Sequence, residues 1–450
     1  MAPLRTKRET TLLERVAVSS LTTGGTWPRR VGGDCERRSW HGRRSGLAGI
    51  GVFAVIAAGC GSSNSGASGG TAAGTQGATK TGVVTIGGLE SVTGAFAAGG
   101  QAILGGLKVA VADINGAGGF TVGDTRYTIN LVTADAASDP AKATAGAIGL
   151  IRDNQVQFLF GPAETSGAIA VQAQTAPARV LWFTSSLTVS DTLDQQGVSS
   201  ALNKYAFSEL DGAKSQAKHN ADGARANFPA AKSAVVMMVS SSSFDYYTGQ
   251  LADSFRADGF AVPDGNVIRY DAATTDFGPL LTRVKAIHPD VLVVGVAAAA
   301  VTNVAKQMVA LGDVAGALIG TIGGAAIAQS TAIGKPLPFP FQTIAVGGLN
   351  PAQPQPQYTD FLSRFQQVNG AAAPTSTASF STSDYAPLEG LIAAMQKAGT
   401  TTDVDKVAAA IVQSKGTGPV GPVTWTANHA ARTSTYICLV VAGTQTCAQK

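Results

Sequence analysis

The residues best suited to chemistry lie where an apolar strand turns into a helix, in VQFLFGPAETSGAIAVQAQTAPA, residues 156–178. Val156–Phe160 is an apolar run typical of a strand buried on both faces, and a Gly-Pro pair ends it. Thr165 or Ser166 can then cap a helix. The side chains expected to face the layer below are Ile169, Val171 and Ala173. Unpaired amides and the positive end of the helix dipole favour an anion here, whereas the alternative is an ordinary strand-to-helix loop.

The residue types needed for catalysis are scarce. Beyond the first 59 residues the histidines are His219, His288 and His429, each in a polar context that favours a solvated surface position. No Cys or His spacing indicates a metal site, and no G-x-S-x-G elbow or phosphate-binding glycine loop follows a strand. The sequence therefore predicts a binding protein without a metal or cofactor, and not an enzyme.

Composition describes a globular chain with little surface charge. Apolar residues make up 45% of the 450 residues and charged residues 14%. The formal charge of +4 is concentrated at the start, because ten of the 33 Lys and Arg but only four of the 29 Asp and Glu precede Cys60. The remainder is slightly acidic, which argues against a nucleic-acid partner.

The first 59 residues have the pattern of an export signal. The apolar run Leu47–Ala58 follows Arg37, Arg38, Arg43 and Arg44; it is too short to span a bilayer but suits a signal-peptide core. The run leads into Ala57-Ala58-Gly59-Cys60, which resembles a bacterial lipobox, so we expect Cys60 to be lipidated; the alternative is a plain secretory signal. Residues 60–81 are rich in Gly, Ser, Thr and Ala and predict a flexible tether. We therefore expect a protein held by its lipid at the extracytoplasmic face of the cell membrane.

From Val83 the chain alternates between apolar strands and amphipathic helices. A second series of the same kind begins near Ser233. This alternation predicts an α/β protein with parallel sheets covered on both faces, in two doubly wound, Rossmann-like lobes.

Cys438 and Cys447 are symmetric about Ala442-Gly443. A hairpin loop of either two or four residues therefore places them opposite each other on adjacent strands. In an exported chain this favours a disulfide bond, and the alternative is two free thiols.

Several separate patches resemble one family. They are AVADINGAGG (110–119), LVTADAASDPAKA (131–143), FGPAETSG (160–167) and GPVTW (421–425). In this order they are similar to the substrate-binding proteins of branched-chain amino acid ABC transporters. The resemblance implies the type I periplasmic-binding-protein fold, in which hinge strands join two lobes that close over a ligand. It also implies lobe 1 at 82–206 plus 338–412, and lobe 2 at 207–337 plus 413–450.

The resemblance implies a ligand site in lobe 1. In the family a hydroxyl and backbone amides hold the ligand carboxylate, in the loop that matches Ala163, Glu164, Thr165 and Ser166. The next such segment matches residues 184–188, with Ser186 and Thr188 in the ligand-facing positions. We therefore expect the ligand to have an anionic or strongly polar end.

The chain departs from the family on the opposite side of the site. The family's acid for the ligand ammonium falls near Thr321-Ile322, its closing tyrosine at Ala297, and an aromatic of the first loop at Gly99. A buried ammonium without a counter-charge costs several kcal/mol. An ordinary leucine-type ligand therefore does not fit the pattern.

Two explanations for the missing acidic residue remain open. Glu164 or Asp245 can supply the charge from another direction. Alternatively, the ligand lacks an ammonium and a bulkier body fills the space at Gly99 and Ala297, which is the reading that we favour. The aromatic residues that would then form the walls are Phe96, Phe244, Tyr246 and Phe380.

The resemblance therefore predicts a monomeric, lipid-anchored solute-binding protein that captures a small polar or anionic ligand, such as an amino acid-like compound, an amide or a carboxylate. It would deliver this ligand to the transmembrane subunits of an ABC permease. Two alternatives are a ligand sensor for a membrane signalling partner and an exported α/β enzyme.

Overall fold

The computed structural model describes residues 80–295, 298–321, 336–345, 356–371, 373 and 378–450. Cys60, Ala297 and Ile322 lie outside these residues. No helix in the described part of the chain combines the length and apolar character that a membrane span requires.

The first sheet collects the strands of the first alternating series. They are β1 (Lys80–Glu90), β2 (Phe120–Val122), β3 (Thr125–Asp135), β4 (Phe158–Phe160), β5 (Leu181–Thr184) and β6 (Ala206–Ser208). Their order is β2-β3-β1-β4-β5-β6, with every pair parallel except β2–β3. The carboxyl ends of the parallel strands therefore meet at one edge, which is where ligands bind in open α/β sheets.

The second sheet collects the later strands. They are β7 (Ala234–Val239), β8 (Val267–Tyr270), β9 (Val291–Val294), β10 (Ala317–Gly320), β11 (Phe341–Ala345), β15 (Tyr436–Val441) and β16 (Thr444–Gln449). The order is β16-β15-β11-β10-β9-β7-β8, and the last two strands of the chain run antiparallel at one edge. A small antiparallel sheet contains β12 (Lys415–Gly418), β13 (Gly421–Trp425) and β14 (Ala431–Arg432).

Helices cover the two large sheets. Those of the first half are α1 (Ala97–Gly116), α2 (Pro140–Arg152), α3 (Thr165–Ala178), α4 (Leu187–Gln196), α5 (Ala213–Asn227) and α6 (Ser242–Ala257). Those of the second half are α7 (Gly278–Ile287), α8 (Ala298–Leu311), α9 (Pro356–Asn369), α10 (Ala378–Ser381), α11 (Tyr385–Ala398) and α12 (Val404–Ile411). Single 3-10 turns occur at Gly197–Ser199 and Asp264–Asn266. The predicted α/β class with two doubly wound lobes is confirmed.

The sheets divide the chain differently from the expected lobe boundaries. Strand β11 pairs with β10 and β15, so residues 341–345, which the resemblance assigned to lobe 1, lie in the second sheet. In the other direction, Trp425 of β13 packs in the core of the first sheet beside Phe183 and Phe207. The chain therefore passes between the lobes after β6, after β11 and after β14.

The connections between the lobes that follow β6 and β14 contact each other. The Thr433 hydroxyl donates to the Asp211 carboxylate over 3.3 Å. Burial raises the pKa of Asp211 to about 6, against the opposing effect of Arg432. The passages that connect the lobes are therefore tied together by side chains.

The observed burial of side chains corrects two predictions, one about the face of α3 that packs inward and one about the exposure of His429. Ile169 of α3 is 53% exposed and Ala173 is also exposed, whereas Val171 is buried as predicted. His429 is buried and not solvated: its ring stacks on Phe207 with centroids 3.9 Å apart, and its Nδ1 donates to the Ala206 carbonyl over 3.1 Å. Burial lowers the pKa of His429 to about 4, so the ring is neutral at physiological pH.

The predicted disulfide is confirmed. Cys438 and Cys447 are directly opposite each other in the β15–β16 ladder and form a bond that closes a nine-residue separation. The hairpin turns through Ala442-Gly443, which is the two-residue alternative. The bond joins the two strands at the edge of the second sheet and lies outside the strand ends that form the candidate site.

Candidate functional site

The β4–α3 loop is held tightly against the strands beside it. The Trp182 indole donates to the Gly161 carbonyl and the Thr184 hydroxyl donates to the Pro162 carbonyl, each over 2.7 Å. From the other side, the Ala163 amide donates to the Glu90 carboxylate over 3.4 Å. Contacts from both neighbouring strands therefore fix the loop that leads into α3.

The residue at the start of α3 is Glu164, and this corrects the prediction that Thr165 or Ser166 caps the helix. Glu164 has extended backbone geometry and makes no side-chain cap hydrogen bond. It is only 9% exposed, and neither carboxylate oxygen has a hydrogen-bond partner among the described residues. Its own helix therefore does not use this carboxylate as a hydrogen-bond acceptor.

The β5–α4 loop has the same construction. Ser186 precedes α4, again with extended geometry and no side-chain cap, and its amide donates to the Thr184 hydroxyl over 3.1 Å. Its own hydroxyl is fully buried and has no partner among the described residues. Buried hydroxyls are normally hydrogen-bonded, so this unpaired group calls for an explanation.

The starts of α3 and α4 converge. The hydroxyls of Thr165 and Thr188 lie 3.0 Å apart. Each helix start carries backbone N–H groups without an intrahelical acceptor and a partial positive charge. The structure thus brings Ala163, Glu164, Thr165, Ser166, Ser186 and Thr188 to one edge of the first sheet.

A cluster of buried carboxyl groups lies behind these loops. Glu90 is the last residue of β1, Glu209 follows β6 and Asp384 precedes α11; each is at most 1% exposed. The Ser185 hydroxyl donates to Glu209 over 2.5 Å, and Glu209 is in hydrogen-bonding contact with Asp384, which requires that one of the two carries a proton. We call Glu90, Glu209 and Asp384 the buried acid cluster.

Burial is the main cause of the raised pKa values of the three acids in this cluster. It raises the pKa of Glu90 well above the ordinary range, and the nearby charges of Asp384 and Glu164 add to the effect. It raises the pKa of Glu209 in the same direction, with Asp384 as the next cause, and the pKa of Asp384 to about 7. The cluster therefore holds protons at neutral pH and supports both loops from beneath.

The second lobe contributes α6 to the opposite side. The Tyr246 hydroxyl is in hydrogen-bonding contact with Asp191 and Gln195 of α4, so it links the two lobes at the rim. Phe244 is half-buried on the same helix. Asp245 forms an ion pair with Arg269 and is 63% exposed. Of the two acids considered as a counter-charge, Asp245 already has a cationic partner.

An aromatic side chain occupies the space beside Gly99 that the sequence analysis assigned to a bulkier ligand. A side chain added at Gly99 would lie 2.4 Å from the ring of Phe96, so that ring already fills the position. Phe96 in turn meets Phe380 edge-on, with ring centroids 5.7 Å apart. The expectation of room for a bulkier ligand at Gly99 is therefore wrong, and the matching position Ala297 lies outside the described residues.

The described residues also include Thr321, next to the position of the family's acid. Its hydroxyl is fully buried and has no hydrogen-bond partner within the described part of the chain, while its carbonyl accepts from the Asn220 side-chain amide over 3.4 Å. Within the described ranges, no group of three or more His, Cys, Asp or Glu side chains is arranged to hold a metal ion.

A separate groove of about 450 Å³ lies at the other edge of the first sheet. It is lined by residues near the amino ends of β4 and β5, including Val156 and Val180, together with Asp403 before α12. It is therefore remote from the two helix starts.

Comparison with known proteins adds to these observations. A family model described as a periplasmic binding protein matches residues 83–445. The Leu/Ile/Val-binding protein BraC3 of Rhizobium johnstonii is 29% identical over 344 residues, which cover 74% of this chain and 84% of that protein.

Solved structures share the fold at low identity. A solute-binding protein of an ABC transporter from R. palustris, crystallised with benzoate, has a TM-score of 0.64 at 19% identity and covers 81% of this chain and 95% of its own. The branched-chain amino acid transporter substrate-binding protein LivJ from Streptococcus pneumoniae, in complex with isoleucine, has a TM-score of 0.63 at 21% identity and covers 82% and 100%.

Proposed function

Because the chain belongs to the periplasmic binding protein family, in its branched-chain amino acid type, we propose that it captures a small polar or anionic solute between its lobes and delivers it to an ABC permease. The solute binds where α3 and α4 begin and leaves chemically unchanged. The named ligands of similar proteins, which are branched-chain amino acids and benzoate, define the first compounds to test.

The convergence of two helix starts carries this proposal. The hydroxyls of Thr165 and Thr188 meet at 3.0 Å, and the Ser186 hydroxyl is buried with no hydrogen-bond partner among the residues that the structure describes. An electronegative ligand group placed here would accept hydrogen bonds from the amides and hydroxyls and would be favoured by both helix dipoles. Closure is driven by the amount by which the ligand prefers the closed form to the open one.

Removal of single hydroxyls should weaken binding. Thr188→Ala and Ser186→Ala are each expected to cost roughly 1 to 3 kcal/mol, or about 5- to 150-fold in Kd, because a ligand group loses its donor in a buried site. The measurement is calorimetric titration with leucine, isoleucine, valine, benzoate and 4-hydroxybenzoate.

Thr192→Ala is the matched control for these variants. Thr192 lies one turn further along α4, and its hydroxyl already donates to the Thr188 carbonyl over 2.9 Å. The same chemical change there should leave the affinity unaltered. Equal affinities in wild type, Thr188→Ala and Ser186→Ala would exclude this edge as the binding site.

We also propose that Cys60 carries the membrane anchor. Residues Ala57-Ala58-Gly59-Cys60 support cleavage before the cysteine and diacylglycerol transfer to its thiol. Mass spectrometry of the mature N-terminal peptide should find a lipid-modified cysteine, and Cys60→Ser should release the protein from membranes. Membrane association that survives this substitution would contradict the anchor.

A further inference from the structure

Glu164 combines burial, charge and the lack of a partner. It is 9% exposed, and neither of its carboxylate oxygens is hydrogen-bonded by any described residue. A carboxylate that loses water without gaining a donor is unfavourable, so a partner from outside the protein would stabilise it. The Ser186 hydroxyl, at the same edge, is also fully buried without a hydrogen-bond partner among the described residues, so a ligand could satisfy it as well.

The surroundings of Glu164 are acidic. Glu90 accepts a hydrogen bond from the amide of the preceding residue, Ala163, and the nearby Glu164 is one of the groups that raise the pKa of Glu90. None of the ion pairs formed by the described residues involves Glu164 or the buried acid cluster. Among the described residues, no cationic side chain therefore neutralises Glu164 at this edge.

The competing ways of accommodating the lost family acid are weaker. Asp245 is exposed and paired with Arg269, and the ring of Phe96 fills the space over Gly99 that a bulkier ligand would need. Of the two acids that the sequence offers as a counter-charge, Glu164 is the one that is buried and has no hydrogen-bond partner among the described residues.

We propose that Glu164 pairs with a protonated nitrogen of the ligand, so that lobe 1 itself selects solutes that carry a cationic amine. This inference rests on the proposed function, because it assigns the ligand class of the same site. The hydroxyls of Ser186 and Thr188 and the helix amides then bind the electronegative groups next to that amine. The amine can belong to an amino acid zwitterion or to an amine without a carboxylate, and the two sources share this chemistry.

The test uses three compounds with the same isobutyl body and different head groups. Leucine carries an amine and a carboxylate, leucinamide carries an amine and a neutral amide, and 4-methylpentanoate carries only the carboxylate. Benzoate serves as a second amine-free acid. Calorimetric titration of wild type at pH 7 should show at least one amine-bearing compound binding on the order of 100-fold more tightly than either amine-free acid.

Glu164→Gln keeps the shape of the side chain and removes its charge. It should weaken binding of the amine-bearing compound by on the order of 100-fold, because a buried ammonium loses its counter-charge, and should leave 4-methylpentanoate equal or improved. Asp245→Asn is the matched control on lobe 2 and should bind like wild type. Comparison of leucine with leucinamide identifies which of the two amine sources the site accepts.

Two outcomes would overturn the inference alone. One is tight binding of 4-methylpentanoate or benzoate in preference to both amines by wild type. The other is unchanged affinity of Glu164→Gln, folded by circular dichroism, for the amine that wild type binds. Wild type that binds none of the four compounds would contradict the proposed function for the ligands of its relatives, and the inference would fall with it.

Discussion

Asp384→Asn is expected to make the protein markedly more stable at pH 8 and to change its stability little at pH 4. Burial raises the pKa of Asp384 from an ordinary value of 3.8 to about 7. The folded state therefore binds a proton that the unfolded state has already released between these pH values. By linkage this contribution to stability is complete below pH 3.8 and is lost as the pH rises to 7, with a slope of up to about 1.4 kcal/mol per pH unit.

Asparagine has no proton to lose, and its carbonyl oxygen can accept from protonated Glu209 as the Asp384 carboxyl does. The difference in free energy of unfolding between variant and wild type should therefore grow by up to roughly 4 kcal/mol from pH 4 to pH 8. Urea unfolding at intervals of one pH unit measures it. Asp313→Asn, at an exposed position, is the control and should follow wild type throughout. Parallel curves for Asp384→Asn and wild type would show that Asp384 does not hold a proton in the folded state.

Gly161→Ala is expected to destabilise the protein and to disturb the ligand site together. Gly161 has a φ of +81°, and a Cβ there would lie 2.2 Å from the Leu89 carbonyl oxygen and 2.4 Å from a Glu90 carboxylate oxygen. The backbone conformation costs an alanine about 1 to 2 kcal/mol, and forcing apart packed atoms typically costs 1 to 3 kcal/mol more, so a loss of roughly 2 to 5 kcal/mol follows.

Gly123→Ala separates these two effects. Gly123 also has a positive φ, +61°, but a Cβ there meets nothing within 4 Å. Its loss should be limited to about 1 to 2 kcal/mol, with ligand affinity unchanged. Thermal and urea unfolding of both variants gives the comparison. Equal losses in the two would mean that the close approach of strand β1 to the β4–α3 loop is relaxed at no cost.

The strands were predictable because parallel strands are buried on both faces and therefore form apolar runs. The run Val156–Phe160, predicted as such a strand, contains β4 at Phe158–Phe160. The disulfide could be predicted in the same way, since equal spacing about Ala442-Gly443 defines the register of a hairpin. Both the strands and the disulfide depend on residues that are close together in the sequence.

Helices α4 and α5 were missed because few of their buried residues are large and apolar: α4 buries Val189 and Leu193, and α5 buries none. Helix α5 buries Ala213, Ala217, Ala221 and Ala224, a stripe of alanines with polar residues between them. Helix α4 is polar on average and begins within the loop assigned to the ligand. A stripe of alanines four residues apart is the signal that would have revealed α5.

The buried acid cluster could not be predicted residue by residue. Glu90, Glu209 and Asp384 are far apart in the chain, and each alone has the pattern of a solvated loop acid. Only the parallel sheet, which gathers its strand ends at one edge, brings them together. Glu90 directly continues the apolar end of β1, which was the one local signal. The sequence also did not identify Glu164 as the residue that precedes α3, because Ser and Thr are commoner N-cap residues than Glu and were therefore expected there.

The central claim is that two helix starts of lobe 1 and helix α6 of lobe 2 enclose a small solute. A crystal structure of the protein with the tightest compound of the titration panel tests this most directly. We predict density for the compound within hydrogen-bonding distance of Glu164, Ser186 and Thr188, with α6 closed over it. Density in the groove beside Val156 and Val180 instead, or protein side chains filling the space between the helix starts and α6, would contradict the account.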